Sequence, residues 1–472
     1  MSTIDSGLRA RLVDKARPPS QLAGRLATQS LLFALGEGTF MAGSAVFFTQ
    51  VVGLTPAQVG LGLTIAGIAS FIAAYPMGRL VDRLGAKRSW AISSAGQASM
   101  FAVWPFIDSF EGYLAMAVVM EVIGALGGVA HGAYTIDVLP PHERVKSRAY
   151  MYSALNVGFT LGSLLGVIAL GPESLTLLMG VPVFTAIVFM FNAYNITRLP
   201  DAPHDLKTDE ERKVKIPGPG PMRNVGWLAT SFFTGVLWTN QVILNIVIPL
   251  WLVDKTDAPW VVLSLLFGTN TVMCIFLPLA AARGVKDVHT ALRAIRVSTV
   301  FFIVSCVITL STHDTVGWVT IALFFAGHVT LTGAELFLSA ASWTFEAELM
   351  DPRRRGEYQG AAELAGTLGR VWAPAAFTFL AMNWGATGWL IIGAAITIAA
   401  AALHPSTAVA RRFLEQHVPA EVLADASASD ESHDAALDPT HDVAPVGPPT
   451  VEQPAEPGGI SPLTQSLGGN PD

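Results

Sequence analysis

The chain has 472 residues, 51% of them hydrophobic and 14% charged, with a formal net charge of −7, and its mean hydropathy is positive. That balance excludes an ordinary soluble domain. The net charge misleads, because residues 413–472 hold eleven Asp or Glu and no Lys or Arg; without them the body is net positive.

Residues 1–27 form a polar segment with Arg9, Arg11, Lys15, Arg17 and Arg25 and no apolar core, so no cleavable signal peptide is expected. Twelve apolar stretches follow, each long enough to cross a bilayer. They fall at 28–51, 57–79, 89–108, 112–138, 149–171, 174–196, 226–252, 259–282, 290–311, 316–343, 357–382 and 385–404. The predicted fold class is therefore an all-α membrane protein with twelve transmembrane helices. The segment 197–225 separates six stretches (28–196) from six (226–404). Its charged run at 205–213 suits a surface helix, and Pro217-Gly218-Pro219-Gly220-Pro221 is a flexible joint. Residues 405–472, acidic and rich in Pro and Ala, read as a disordered tail.

Basic residues fix the expected orientation. With both termini in the cytoplasm, Lys255 alone of the 29 Lys and Arg falls outside, and Arg370 lies within a helix. Trp104, Trp251, Trp260, Trp318, Trp384 and Trp389 fall near predicted outer ends, as an interfacial belt would. Cys274 and Cys306 sit in apolar runs and read as core residues. With no phosphate loop, zinc spacing or nucleophile elbow, no enzyme, ATP-driven pump, metal, cofactor or nucleic-acid partner is expected.

The densest motif is Gly78-Arg-Leu-Val-Asp82-Arg83-Leu-Gly85-Ala-Lys87-Arg88, expected as a short loop at the membrane surface. A faint internal repeat also occurs. Asp137, followed seven positions on by Arg144, resembles Glu348 followed by Arg355, and Thr160-Leu161-Gly162 recurs as Thr367-Leu368-Gly369. The eleven-residue string fills every slot of the G-x-L-x-D-R-x-G-x-[KR]-[KR] signature, and in this the chain resembles major facilitator superfamily transporters. The resemblance implies two pseudo-symmetric six-helix halves and a latch of charged residues between them. Asp82 would cap the amino end of the eleventh helix near Gly356 and Glu357, where free N–H groups and the helix dipole favour a carboxylate. Arg83 or Lys87 would pair with Asp137, with Arg88 alongside, and Gly78 and Gly85 would permit the tight turn. The fifth stretch, with Gly158, Gly162 and Gly166 on one face, approaches the G-x-x-x-G-P-x-x-G-G pattern of superfamily antiporters, although Ser163 replaces the proline. Residues 51–67 and Arg148-Ala-Tyr-Met resemble actinobacterial proton-dependent drug and metabolite exporters.

Acids inside a bilayer cost about 2.5–3.5 kcal/mol each even on lenient scales, so they mark function. Glu37, near the middle of the first stretch, Glu121 in the fourth and Glu335 in the tenth are candidates for proton or substrate coupling. Arg370 is set at a depth where it would pair with Glu335. Asn156, Trp238, Asn240, Gln241, Asn245, Asn270 and Glu363 are candidate cavity-lining residues. The resulting expectation is a monomeric, proton-coupled exporter of a small apolar or cationic organic molecule, resident in a bacterial cell membrane. The alternative is an uptake symporter for a sugar or similar solute.

Overall fold

Ser20 opens the first described helix. Its hydroxyl accepts a hydrogen bond from Ala23 N at 3.2 Å, so α1 (Gln21–Val46) starts ahead of the predicted span and continues into a π turn, Phe47–Val51. The computed structural model describes residues 17–170, 175–214 and 216–428, and among these the regular elements are all helices. There follow α2 (Pro56–Leu84), α3 (Ala86–Val103), α4 (Phe110–Val138), α5 (Arg144–Leu170) and α6 (Leu175–Thr197). The span α7 (Val225–Lys255) is interrupted after Leu237 and carries a π turn at Ile243–Val247. Next come α8 (Val261–Phe276), stopped ahead of Pro278, α9 (Val288–Ser311), capped by Asp287, and α10 (Trp318–Glu348). Last, α11 begins as Arg355–Arg370, resumes at Ala373 and ends at a kink where Gly385 has φ 49°; beyond it α12 covers 386–417.

Nine described stretches are long and apolar enough to cross a membrane, and the last, Arg355–His417, is 63 residues long. The Gly385 kink divides that stretch into two spans. The less apolar α3 and the short α8 bring the described spans to the twelve that the apolar pattern predicts.

Three expectations change. The signature is not a loop: α2 runs through Leu84, and Gly85 alone, at φ 93°, links it to α3. Gly78 lies inside α2 and serves a close approach, because a Cβ there would overlap Gly356 O of α11. Residues 405–417 and 420–428 are helical, whereas the tail was expected to be disordered from 405; the remainder, 429–472, lies outside the described residues. The helix persists because Leu403, Ala410 and Leu414 recur at helical spacing and are buried. Of the six belt tryptophans, Trp260, Trp318 and Trp384 are exposed, but Trp104, Trp251 and Trp389 are each 2% exposed. These three fill the helix-packed interior. Trp251 Nε1 donates to Thr312 Oγ1 at 3.1 Å, and its ring meets Trp389 edge-on at 5.6 Å.

Glycine faces set the tightest packing. A Cβ on Gly158, Gly162 or Gly166 of α5 would overlap the carbonyls of Leu31, Leu35 or Thr39 on α1. In the repeat, a Cβ on Gly369 of α11 would overlap Phe232 O on α7. The two Thr-Leu-Gly strings thus make equivalent crossings, α5 on α1 and α11 on α7. Between the first six spans and the last six, α2 meets α11, and α5 meets α8 and α10. The α2–α11 contact falls at the end where α2 joins α3, hereafter the latch end.

Candidate functional site

At the latch end Asp82 accepts two backbone hydrogen bonds from the start of α11: Gly356 N at 2.7 Å and Glu357 N at 2.8 Å. A carboxylate suits those unpaired N–H groups and the positive end of the helix dipole. Asp137, closing α4, is paired with Arg355 rather than with Arg83 or Lys87. The reason is directional. Lys87, at the start of α3, faces the segment after α6, where Nζ meets Asp201 Oδ1 at 2.8 Å and its backbone N–H reaches Asp205 at 3.3 Å. Arg83 and Arg88 make no ion pair among the described residues. Glu357 is flanked by Arg79 at 3.5 Å and Arg354 at 3.6 Å.

The internal repeat explains the new pairing. Asp137 and Arg144 in the first half match Glu348 and Arg355 in the second. Asp137 pairs with Arg355, and Arg144 lies within electrostatic reach of Glu348. Each half therefore gives its acid to the other half's arginine. Two contributors escaped the sequence reading. His204 N donates to Asp137 Oδ2 at 2.9 Å while its Nε2 lies 3.0 Å from Asp82 O, so the 197–225 segment enters the latch. Arg148 Nη1 of α5 meets Glu346 Oε2 of α10 at 2.6 Å. No helical period marks His204; only its position between two acids, Asp201 and Asp205, hinted at it.

Deeper in the bundle, Glu335 does not pair with Arg370. It is 3% exposed, accepts from Tyr152 Oη of α5 at 2.6 Å and from Asn270 Nδ2 of α8 at 3.2 Å, and lies 3.8 Å from Cys274 Sγ. Its side chain thus faces α5 and α8. Arg370 instead meets Glu363 Oε1 at 2.5 Å and Thr367 Oγ1 at 3.0 Å on its own helix. Glu335 is a buried carboxyl bridging the two halves through neutral donors. Glu37 of α1 is half-buried and within electrostatic reach of Glu121 on α4, and neither makes an ion pair among the described residues.

A cavity of about 160 Å³ lies among α7, α10 and α11, lined by Ser231, Thr234, Trp238, Gln359, Glu363 and Arg370 among others. The Thr234 hydroxyl is buried without a partner. Of the predicted lining residues, Trp238 and Glu363 border this cavity and the amides do not. Asn156 and Asn245 donate to backbone carbonyls one turn back, Tyr152 O and Gln241 O, both at 2.9 Å. Asn270 serves Glu335, Gln241 accepts from Asn245 at 3.2 Å, and Asn240, 1% exposed, has both amide atoms unpaired at the break in α7. Asn156 and Asn245 thus satisfy their own helix backbone instead of meeting the cavity.

Twelve spans, an α2–α3 signature and a latch that exchanges acids and arginines between halves all describe one architecture, and the family model for the Major Facilitator Superfamily matches residues 26–374. The chain belongs to that superfamily. It is thus a multi-pass membrane protein and a secondary transporter, not an enzyme. The Na(+), Li(+), K(+)/H(+) antiporter of Planococcus maritimus is 24% identical over 378 residues, covering 74% of this chain and 86% of that protein. Major facilitator superfamily domain-containing protein 10 of Bos taurus is 34% identical over 113 residues, only 23% of either chain. The crystal structure of the human organic anion transporter MFSD10 aligns with a TM-score of 0.56 at 16% identity, covering 82% of this chain and all of that one, a likeness of fold.

Proposed function

We propose that this superfamily member is a proton-coupled antiporter that exports a small apolar or cationic organic molecule across a bacterial cell membrane, with the latch end in the cytoplasm. The reading rests on one observation above all: Glu37 on α1 and Glu121 on α4 lie within electrostatic reach of each other, and among the described residues no cation is paired to either. Carboxyl groups so placed can hold a proton or a cationic substrate in turn, which is what exchange requires. Arg370 offers little to an anion, because Glu363 already neutralises it at 2.5 Å. The Trp238 ring gives an apolar molecule a face to lie on. The antiporter of Planococcus maritimus, by its name, exchanges cations for protons, in keeping with this reading.

Glu335 supplies the link to motion. Its carboxyl accepts from Tyr152 of α5, so a hydrogen bond joins α10 to the other half and must change when the halves move apart. The Asp82, Asp137 and Arg148 contacts hold the two halves together at the latch end. Breaking the Asp82, Asp137 and Arg148 contacts is then the step that reopens the latch end.

The test is proton flux in inverted vesicles loaded with a pH-quenched dye. Cationic apolar compounds should dequench the dye, and Glu37→Gln should abolish the response while the protein remains in the membrane. Full coupling in Glu37→Gln would remove the site assignment. Solute accumulation in whole cells that an uncoupler abolishes would instead establish uptake.

A further inference from the structure

Four cations line one cavity at the latch end, and among the described residues none is paired with a carboxylate. Arg17 ahead of α1, Lys146 in the first turn of α5, and Arg283 and Lys286 between α8 and α9 line a cavity of about 1170 Å³, with His142 beside them. Arg17, Lys146, Arg283 and Lys286 are all exposed and make no ion pair among the described residues. The one acid in the lining, Glu348, lies within reach of Arg144 and Arg411. Asp287, next to Lys286, is engaged as the cap of α9 and accepts from Thr290 N at 2.8 Å. Like charges gathered around a hollow repel, and an anion placed between them relieves the repulsion.

The rest of the lining is apolar. Phe276 is 72% exposed and Leu277 39% exposed, at the point where α8 stops ahead of Pro278. Leu279 and Val285 continue that wall. Charge on one side and hydrocarbon on the other is the profile of an amphiphile, not of a free ion.

We propose that this cavity holds the headgroup of an anionic phospholipid, with an acyl chain laid along Phe276 and Leu277. Basic hollows between membrane helices are suited to such headgroups. The cations come from both halves, Lys146 from the first and Arg283 and Lys286 from the second. A bound headgroup therefore bridges the α4–α5 and α8–α9 connections and favours the state with the latch closed.

The test titrates the full chain in detergent with phosphatidylglycerol or phosphatidylcholine, reading bound lipid by native mass spectrometry and the melting temperature alongside. The wild type should prefer phosphatidylglycerol by about tenfold or more, given the gain per basic residue near an anionic headgroup. Lys146→Gln/Arg283→Gln/Lys286→Gln should reduce that preference to about twofold or less. Lys286→Gln alone should give a partial loss, which carries the test if the triple variant aggregates. Phe276→Asn keeps the cations and should weaken lipid binding through loss of the acyl wall. No headgroup preference in the wild type, or a preference that survives the triple change, overturns the proposal. So does inorganic phosphate that stabilises the protein as much as the lipid, or Phe276→Asn that binds lipid unchanged.

Discussion

Asp137 and Arg355 are the residues on which the latch can be tested most directly. Their side chains are 13% and 8% exposed, so removing either strands a charge that water reaches poorly. Arg355→Ala should cost about 1–3 kcal/mol after allowance for residual solvation. Arg83→Ala, which breaks no ion pair, should stay within about 0.5 kcal/mol. A double-mutant cycle of Asp137→Asn with Arg355→Ala, read from melting temperatures in detergent, should give a coupling of about 0.5–3 kcal/mol. If Arg83→Ala proved as damaging as Arg355→Ala, the pairing described above would be wrong. Asp82 was legible in the sequence because it has a fixed place in an ordered signature beside a helix that needed an anion. The partner of Asp137 was not. Asp137 and Arg355 belong to corresponding strings of an internal repeat, which invites reading them as copies of a motif and hides that they complement each other across the seam. The Glu335–Arg370 pairing failed for a related reason: equal depth along two helices says nothing of which way each side chain faces.

Helices carry the next layer. Spans were legible because a bilayer demands long apolar runs, and α7, although broken, still shows one. Helix ends were not legible where the chain leaves the bilayer and continues as an amphipathic helix, as in 405–417, since polar residues there look like tail. The Gly158, Gly162 and Gly166 face was visible as a period of four, but its partner, α1, was not. Gly162→Leu would drive a side chain into Leu35 O and Thr39 N and force α1 and α5 apart. The expected cost is about 1–3 kcal/mol or more, as for other overpacked contacts. Gly369→Leu, at the matching α11–α7 crossing, should cost a similar amount. Gly268→Leu meets open space and serves as the control, with little change expected in melting temperature. Melting and transport measured on the three variants decide the point. If the two crossing glycines tolerate leucine as well as Gly268 does, the close approaches are not needed.

At the scale of the whole molecule, the segment between the halves is a working part and not only a tether. His204 reaches Asp82 and Asp137, and Asp201 and Asp205 hold the start of α3. Asp205 gives this docking a pH dependence with a definite sign. Burial raises its pKa above the ordinary carboxylate value, and the nearby Asp137 charge adds to the rise, against the opposing hydrogen bond from Lys87 N and the charge of His204. A carboxyl whose pKa is higher when docked binds its proton more tightly docked than free. The docked state therefore gains stability below the ordinary carboxylate pKa, and that gain is lost as pH rises through the raised value. The segment should be least accessible to protease in mild acid and become more accessible as pH climbs past that point. Asp205→Asn removes the titration and should flatten this part of the profile, while Glu211→Gln should leave it in place, because Glu211 is exposed and its pKa is lowered by Thr208. Limited proteolysis of 201–216 against pH in the three proteins checks the claim. A wild-type profile that falls with rising pH, or one that Asp205→Asn leaves unchanged, would mean that burial of this carboxyl does not govern how the segment grips the latch.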